Sequence, residues 1–358
     1  HGLGLLLLYA KQQKDFTETT IPDWVAEWLG KRSEKQEKQA EKKDKPVDEA
    51  AQAKRQQARQ QKVSDGVEEL LLWIKDIVRN GILNIPEKNA AYFVNMSRRM
   101  IDVQAPGLAG MVKTLGEINF YKEGWQTEFM DQLLRIYLVI SGFKNIESLN
   151  EELRQDIRTW IGFTRSLDEL KEQPGITDTW LVLGKQTSEE DNITVERNWL
   201  YGVTTDQYAL VLQFFVRGQG AQYILTPGLY VQAELVYFPS VLPLRAVIKQ
   251  QLSTNAVLQH KGFPNWQEVM DAETVAGSRL PFHNERPYII NQVKPVEYEK
   301  QWWLQDADNR LMRIKDDFRN MWKLLALSGG EALNVAVVGK EKVYEPVGVW
   351  YQDEYKIL

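Results

Sequence analysis

The stretch Pro174-Gly-Ile-Thr-Asp-Thr-Trp-Leu-Val-Leu-Gly184 marks the point at which the periodicity of the chain changes. Before it, apolar residues recur every three or four positions, which is typical of amphipathic helices. After it come alternating patterns and short runs rich in β-branched and aromatic residues, which favour strands. We therefore expect an α+β protein, with an N-terminal helical domain followed by a mainly antiparallel β domain that contains short helices.

The segment 67–173 predicts the helical domain. Its first helix carries an apolar stripe from Val67 to Val78 and ends at Asn80-Gly81, a favourable C-terminal stop. Short connections favour antiparallel neighbours, and a helical-repeat arrangement is the alternative. Further helices are predicted at 87–103, 108–117, 125–141 and 149–164.

The segment 174–358 predicts the β domain. Trp302 and Trp303 are adjacent in one of its predicted strands, so their side chains point to opposite faces. We expect one of them in the core and the other in contact with a partner. Strands are predicted at 180–184, 193–201, 208–216, 222–225, 230–237, 301–306, 310–315, 333–338 and 343–350, with helices at 266–276 and 318–327.

The composition is that of an ordinary globular protein, with 43% hydrophobic and 26% charged residues. At 358 residues, at least two domains are expected. A net charge of −5 argues against a protein that coats nucleic acid with its whole surface. The absence of cysteine excludes disulfides and thiolate metal ligands within this chain. The apolar run Leu5–Leu8 is much shorter than the roughly 20 residues of a membrane span and lacks signal-peptide flanks, so we expect a cytoplasmic protein.

Residues 31–66 change character and form a charged segment with almost nothing to bury. One interpretation is a solvated helical spacer or linker, which the interleaved acidic residues favour. The other is a basic strip for phosphate backbones, since the segment is more positive than the rest of the chain. The basic residues that open it are Lys31, Arg32, Lys35, Lys38, Lys42 and Lys43.

Arg98 and Arg99 form a paired basic step on an otherwise apolar helix. Two adjacent guanidinium groups can hold a phosphate or a carboxylate through bidentate hydrogen bonds. A solvated helix face or an internal ion pair is the alternative. We retain both residues as candidate partner-binding or nucleic-acid-binding residues.

No strong catalytic motif is present: nucleotide-binding glycine loops, zinc-protease helices and nucleophile elbows are all missing. Two histidines, His260 and His283, flank the predicted helix 266–276. Together with Asp271, Glu273 or Glu285 they could form an acid–base or metal constellation. A hydrolase or transferase with its site near this pair is therefore the alternative function, and ordinary loop histidines are the simpler interpretation.

The N-terminal residues connect the chain to a family. His1 leads directly into a predicted helix over residues 3–13, in which Leu3, Leu6, Leu7 and Ala10 share one face. The segment Pro22-Asp-Trp-Val-Ala-Glu-Trp-Leu-Gly-Lys-Arg32 follows it. This region resembles the end of a SWIM zinc finger, whose pattern is C-x-C, a variable spacer and C-x-H, and whose final histidine commonly opens an apolar helix.

The resemblance implies that His1 matches the fourth zinc ligand and that residues 1–30 are the remnant of the finger helix and the helix after it. The three cysteine positions of the pattern would precede His1. Zinc is therefore expected in the full-length protein and not in this chain alone. The alternatives are that His1 belongs to an affinity tag or lies at an accidental fragment boundary.

The resemblance also implies a function. Bacterial SWIM zinc-finger proteins are thought to bind nucleic acid or protein, and their genes commonly neighbour a MoxR-type AAA+ ATPase and a von Willebrand factor A protein. We therefore expect a non-enzymatic interaction or adaptor protein, with a protein partner and possible nucleic-acid binding, in such an ATPase system.

Overall fold

The computed structural model describes residues 49–88, 90–190, 193–216, 222–253, 260–282, 284–352 and 354–358. The chain divides into two compact units, His1–Gln61 and Lys62–Leu358. The described part of the first unit, residues 49–61, is helical and opens helix α1 (Glu49–Asn80). The boundary expected between residues 66 and 67 falls inside this helix. The expected segment 1–30 and residues 31–48 lie outside the described residues.

The helical part of the second unit forms a bundle around one apolar core. Most of the stripe predicted in the first helix is buried: Leu70, Ile74 and Ile77 are at most 4% exposed, whereas Val78 at its end is 55% exposed. After α1 follow a 3-10 helix (Ile82–Glu87), α2 (Ala90–Asp102), α3 (Pro106–Gly116), α4 (Trp125–Lys144), a 3-10 turn (Ile146–Ser148), α5 (Glu151–Ile161) and α6 (Leu167–Lys171).

Helices α3 and α5 approach each other closely because Gly107 has no side chain. A Cβ at Gly107 would lie 2.1 Å from the backbone oxygen of Trp160. Asn150 caps the N-terminus of helix α5, since its side chain accepts a hydrogen bond from the amide of Leu153. It ends at Gly162, which has the left-handed conformation, φ 113°, that favours glycine. Local sequence therefore sets both ends of this helix.

The β part begins directly after the bundle and confirms the predicted α+β class. Two longer helices interrupt it, α7 (Trp266–Arg279) and α8 (Met321–Ser328). The strands are β1 (Ile176–Glu190), β2 (Ile193–Gly202), β3 (Tyr208–Val216), β4 (Tyr230–Tyr237), β5 (Arg245–Ser253), β6 (Arg286–Tyr298), β7 (Gln301–Gln305), β8 (Leu311–Ile314), β9 (Leu333–Lys340), β10 (Val343–Tyr351) and β11 (Glu354–Ile357).

Strands β1 to β5 form a closed barrel, barrel 1, in the order β1-β2-β3-β5-β4. The long strand β1 pairs with β4 through its first half and with β2 through its second half. A register shift between Val182 and Gly184 allows this change of partner. Strands β3 and β5 are parallel, and the other neighbours are antiparallel.

Strands β6 to β10 repeat this arrangement as barrel 2. The sheet order is β11-β10-β8-β7-β6-β9, and an additional pairing of β10 with β9 closes the ring. The long strand β6 pairs first with β9 and then with β7, with a register shift between Ile290 and Val293. Strands β8 and β10 are parallel. Both barrels therefore have the order 1-2-3-5-4 with parallel third and fifth strands.

The two barrels pack against each other through an apolar interface. Barrel 1 contributes residues of β1 and β2 such as Leu183 and Trp199, and barrel 2 contributes residues of β6, β9 and β10 such as Ile289 and Val347. Gly184 permits the close approach, because a Cβ at this position would lie 2.8 Å from Cβ of Val347.

The bundle also contacts the β part. Phe282 packs edge-on against Trp160, with ring centroids 5.5 Å apart. The amide of Val241 donates a 3.0 Å hydrogen bond to the carboxylate of Asp156. Burial raises the pKa of Asp156, although hydrogen bonds from Ser240 and Val241 oppose the shift. The bundle and the two barrels thus belong to one compact unit.

Several elements differ from the predictions. Strands β5, β6 and β11 were not predicted, and residues 222–225 were wrongly predicted as a strand. Tyr223 instead connects β3 to β5: its amide donates to the side chain of Gln213, and its hydroxyl donates to the carbonyl of Ile248. Among the helices of the described residues, none has both the length and the apolar character needed to cross a bilayer.

Candidate functional site

The outer face of the first three strands differs between the two barrels. In barrel 1 this face includes Trp199 on the second strand, which is 3% exposed because barrel 2 covers it. In barrel 2 the second strand, β7, carries Trp303, which is half-buried and lies outside the apolar interface between the barrels. The face centred on Trp303 is therefore accessible and is the candidate site.

The register of β6, β7 and β8 defines this open face. Leu304 and Met312 point into the core of barrel 2, so the alternate residues point outward. Trp303 lies between Val296 of β6 and Arg313 of β8. The open face consists of Lys294, Val296, Tyr298, Gln301, Trp303, Gln305, Leu311 and Arg313.

Trp302 packs against the core of barrel 2, on the side opposite Trp303. The prediction that this pair points to opposite faces is confirmed. The indole N–H of Trp303 donates a 3.1 Å hydrogen bond to the carbonyl of Tyr298. This bond holds the indole in place before any partner binds, which lowers the conformational entropy lost on binding.

The open face carries two charged side chains, Lys294 and Arg313, and Arg313 is compensated. Arg313 donates to both carboxylate oxygens of Asp316, at 2.6 and 2.7 Å. Tyr298 is 53% exposed, and a hydrogen bond to Glu299 raises the pKa of its phenol. Aromatic and aliphatic groups surrounded by polar side chains are typical of the centre and rim of a protein–protein interface.

A cavity of about 180 Å³ lies next to the turn between β6 and β7, on the same side of β7 as Trp302 and opposite Trp303. Gln301 lines this cavity and pairs with Tyr298 across that turn. Apolar walls come from Trp302, Ile314, Phe318 and Met321, and polar groups come from Lys300, Gln301, Lys315 and Asp316.

Lys315, on the cavity wall, is held by two carboxylates. Its Nζ lies 2.9 Å from Glu285 and 3.4 Å from Glu345. Burial alone would lower the pKa of Lys315, but the two glutamates outweigh burial and raise it. Lys300, on the opposite turn, is exposed and forms no ion pair with any residue in the described part of the chain.

His260 lies between the two barrels. Its ring stacks on Trp350, with centroids 3.8 Å apart, and its Nε2 lies 3.2 Å from the side-chain nitrogen of Asn334. Burial lowers the pKa of His260. The amide of Lys261 donates to the hydroxyl of Tyr201 in barrel 1. These contacts give His260 a packing role at the barrel interface.

His283, the second member of the predicted pair, lies outside the described residues. The three acidic candidates have contacts of their own. Asp271 accepts from the amide nitrogen of Gln267, Glu273 accepts from the backbone of Glu341, and Glu285 binds Lys315. None of them contacts His260 in the described structure, so the predicted constellation is not assembled around His260.

Arg98 and Arg99 are both exposed on α2 and have different surroundings. Arg99 forms an ion pair with Glu69 of α1, which matches the internal-pair interpretation. Arg98 is flanked on its helix face by Val94 and Ile101, which are 40% and 57% exposed. The predicted sites His1, Lys31, Arg32, Lys35, Lys38, Lys42 and Lys43 lie outside the described residues.

Metal-ion ligands can be checked only in the described ranges. There, no group of three or more His, Asp or Glu side chains is placed to hold a metal ion. The zinc ligand implied by the resemblance, His1, falls outside these ranges and stays a prediction.

Comparison with known protein families matches part of the chain. Residues 58–161 match the family described as the SWIM-associated four-helix bundle domain. These residues correspond to the bundle from the middle of α1 to the end of α5. Neither the curated proteins nor the solved structures contain a match to this chain. The match therefore supports a relation to SWIM proteins. It lies in the helical bundle, whereas the resemblance seen in the sequence lies in the N-terminal residues.

Proposed function

We propose that this protein, whose bundle matches the SWIM-associated domain, is a non-enzymatic adaptor that binds a protein partner through the open face of barrel 2. The main support for the proposal is that this face, centred on Trp303, is accessible, whereas barrel 2 covers the corresponding face of barrel 1. Tryptophan, tyrosine and arginine are the residues that most often dominate binding energy at protein interfaces.

A protein partner fits the open face better than a nucleic-acid backbone. Arg313 is already neutralised by Asp316, and Arg310 contacts Asp308 at 2.7 Å. Phosphate binding depends on several cations that release counterions, and Lys294 is the one lysine of this face. The overall charge of −5 points the same way.

The proposed partners are those that the family resemblance implies, a MoxR-type AAA+ ATPase and a von Willebrand factor A protein. The adaptor would present one of them, or a substrate, to the other. The zinc site at His1 and the cytoplasmic location remain predictions from the sequence, and the proposed function uses neither.

Calorimetric titration of the purified chain with the ATPase and with the von Willebrand factor A protein from the same organism tests this function. Trp303→Ala removes the centre of the face and should weaken binding about 30-fold, equivalent to about 2 kcal/mol. Trp322→Ala is the matched control, because Trp322 is 81% exposed on α8 and lies outside the open face.

The control variant should bind as the natural protein does. Equal binding by all three proteins would contradict the role of the open face. Absence of binding to both candidate partners would contradict the proposed place in the ATPase system.

A further inference from the structure

We propose that residues 260–263 form an acid-released clasp between the two barrels: the neutral ring of His260 covers Trp350, and the protonated ring leaves it. None of these residues belongs to the open face, so the clasp does not depend on the proposed function. The hydrogen bonds around the ring decide which form of the histidine the closed clasp can hold.

The clasp is fixed by backbone hydrogen bonds at its far end. The amide of Phe263 donates to the carbonyl of Ile289 at 2.8 Å, and the amide of Asn291 donates to the carbonyl of Phe263 at 2.9 Å. Between the two ends, the amide of Lys261 donates to the hydroxyl of Tyr201 in barrel 1. The histidine ring is therefore the part of the clasp that can leave without unpairing a strand.

The groups around the ring suit the neutral form of His260. The side-chain oxygen of Asn334 accepts a 3.1 Å hydrogen bond from the amide of Gln292, so its side-chain nitrogen faces Nε2 of His260, at 3.2 Å. An amide nitrogen is a donor, so Nε2 must supply the lone pair and Nδ1 carries the single proton. Nδ1 is buried and has no hydrogen-bond partner among the described residues.

A charged ring does not fit the closed clasp. An imidazolium carries a proton on each nitrogen, so one N–H would point at the amide nitrogen of Asn334 and the other would lack an acceptor. Rotating the Asn334 amide would set its nitrogen against the amide of Gln292 instead. The indole face of Trp350 attracts a cation, but stacking supplies no hydrogen-bond acceptor, and buried donors without a partner are costly.

No carboxylate of the described residues compensates a charge on the ring. Burial alone lowers the pKa of the imidazole. Strand β9 presents the uncharged Asn334, and the nearby phenols of Tyr201 and Tyr355 stay protonated near neutral pH, because burial raises the pKa of each. Asp206 accepts its 2.8 Å hydrogen bond from the Tyr201 hydroxyl, and Lys261 is exposed.

The closed clasp therefore binds a proton less readily than the released one. Closure lowers the pKa of His260 from its ordinary 6.5, so release becomes more favourable as the pH falls below that value. Release also lets water reach Nε1 of Trp350, which is buried without a hydrogen-bond partner in the described part of the chain. The other face of this indole stays against Tyr355, with centroids 4.7 Å apart. Acid thus uncovers one face of Trp350, which is 9% exposed when the clasp is closed.

Fluorine NMR of the full chain labelled with 5-fluorotryptophan, from about pH 8 to about pH 5, tests the clasp. The Trp350 resonance is assigned with Trp350→Phe, and its shift between H2O and D2O reports solvent access to the indole. We expect this solvent isotope shift to rise with a midpoint below pH 6.5, from a value near that of Trp266 toward that of Trp322. These two tryptophans are 0% and 81% exposed and serve as references.

Three variants assign the change to the ring and its acceptor. His260→Phe cannot be protonated and should keep the isotope shift of Trp350 low at every pH. In Asn334→Asp, a carboxylate can accept from the Gln292 amide and from a charged imidazole together, so the shift should stay low in acid as well. Asn119→Asp is the matched control, because it adds the same charge in the bundle, and it should behave as the natural protein does.

The clasp is overturned if the isotope shift of Trp350 does not rise down to pH 5, or if its resonance titrates while the isotope shift stays low, since the ring would then be protonated in place. A rise that persists in His260→Phe, or that a folded Asn334→Asp leaves unchanged, would also overturn it. A parallel rise for the buried Trp266 would show general unfolding in acid and would do the same. If circular dichroism shows that Asn334→Asp is unfolded, His260→Phe decides the test.

Discussion

Barrel 1 and barrel 2 share a strand order and differ in what covers their outer faces. Each has a long first strand with a register shift, and each carries a tryptophan on the outer face of its second strand. Trp199 of barrel 1 is buried against barrel 2, and Trp303 of barrel 2 remains accessible. The same architecture therefore supplies an internal packing surface in one barrel and a candidate partner surface in the other.

This difference shows that topology alone does not assign a role to a barrel face. The interface residues of barrel 1 are apolar, such as Leu183 and Leu210, and contact barrel 2 directly. The open face instead carries glutamines, Lys294 and the ion-paired Arg313 around its tryptophan. Function follows from the side chains and from the neighbours that cover them.

The largest predicted effect separates the two tryptophans. Trp199→Ala should lower the free energy of unfolding by about 3–5 kcal/mol, because it leaves a cavity between the barrels. Trp303→Ala should lower it by less, about 1–2 kcal/mol, since the side chain is half-buried. Chemical denaturation monitored by circular dichroism measures both, and similar losses would remove the distinction between the covered and open faces.

A smaller effect is expected at Asp178, which is 5% exposed at the end of barrel 1. Its carboxylate accepts hydrogen bonds from the amides of Thr179, Thr204 and Thr205 and from the hydroxyl of Thr205. Asp178→Asn should lower the unfolding free energy by about 2–3 kcal/mol at pH 7, because the amide group cannot accept all of these bonds.

The same residue gives a pH dependence. Burial would raise the pKa of Asp178, but the hydrogen bonds from Thr205, Thr204 and Thr179 outweigh it and lower the pKa. The stabilisation is complete above the unfolded-state pKa of about 3.9 and is lost as the pH falls through the folded-state pKa. Below about pH 4 the natural protein should lose stability more steeply than Asp178→Asn. Parallel curves would contradict this assignment.

Substitution of Gly184 tests the contact between the barrels with a smaller expected loss of stability. An alanine Cβ would lie 2.8 Å from Val347, so Gly184→Ala should cost about 1–3 kcal/mol through overpacking. Gly110→Ala is the control, because a Cβ there meets no atom within 4 Å and the position is inside α3. The control should be neutral or stabilising by up to about 1 kcal/mol in thermal unfolding. A destabilised Gly110→Ala together with a neutral Gly184→Ala would contradict the packing description.

The smallest predicted effect concerns His260 at the same interface. Because burial lowers its pKa, the folded state disfavours the charged ring, and stability should decrease as the pH falls below about 6.5. His260→Phe keeps a ring beside Trp350 and should lack this contribution. When the pH falls from 7.5 to 5.5, the natural protein should lose more unfolding free energy than His260→Phe, by up to about 1 kcal/mol, as measured by denaturation. An identical pH dependence of the two proteins would contradict this expectation.

The sequence predicted the fold class and the helices well because those features depend on local periodicity. The α1 stripe and the opposite orientation of Trp302 and Trp303 needed no knowledge of distant residues. Strand β6 was missed because Pro287 and Pro295 argue against a strand, although both lie at paired positions opposite β9 and β7. The sequence does not predict strand β5 because its charged and polar residues leave only a weak apolar alternation.

The candidate site depended on contacts that sequence spacing does not encode. Which barrel face is covered is decided by packing between strands more than one hundred residues apart, such as Gly184 against Val347. The glutamates that hold Lys315 come from two other elements, before β6 and within β10. Arg99 similarly forms its ion pair with Glu69 on another helix. Sequence reasoning could identify one of Trp302 and Trp303 as a contact candidate and could not say which face of the strand is open.

Hydrogen exchange of the full chain, measured with and without the ATPase and von Willebrand factor A partners, tests the central claim most directly. The amides of residues 294–305 and 311–313 should exchange more slowly in the complex, while those of β2 in barrel 1 remain unchanged. Protection confined to the helical bundle, with no change in β6, β7 or β8, would contradict the assignment of the open face as the partner surface.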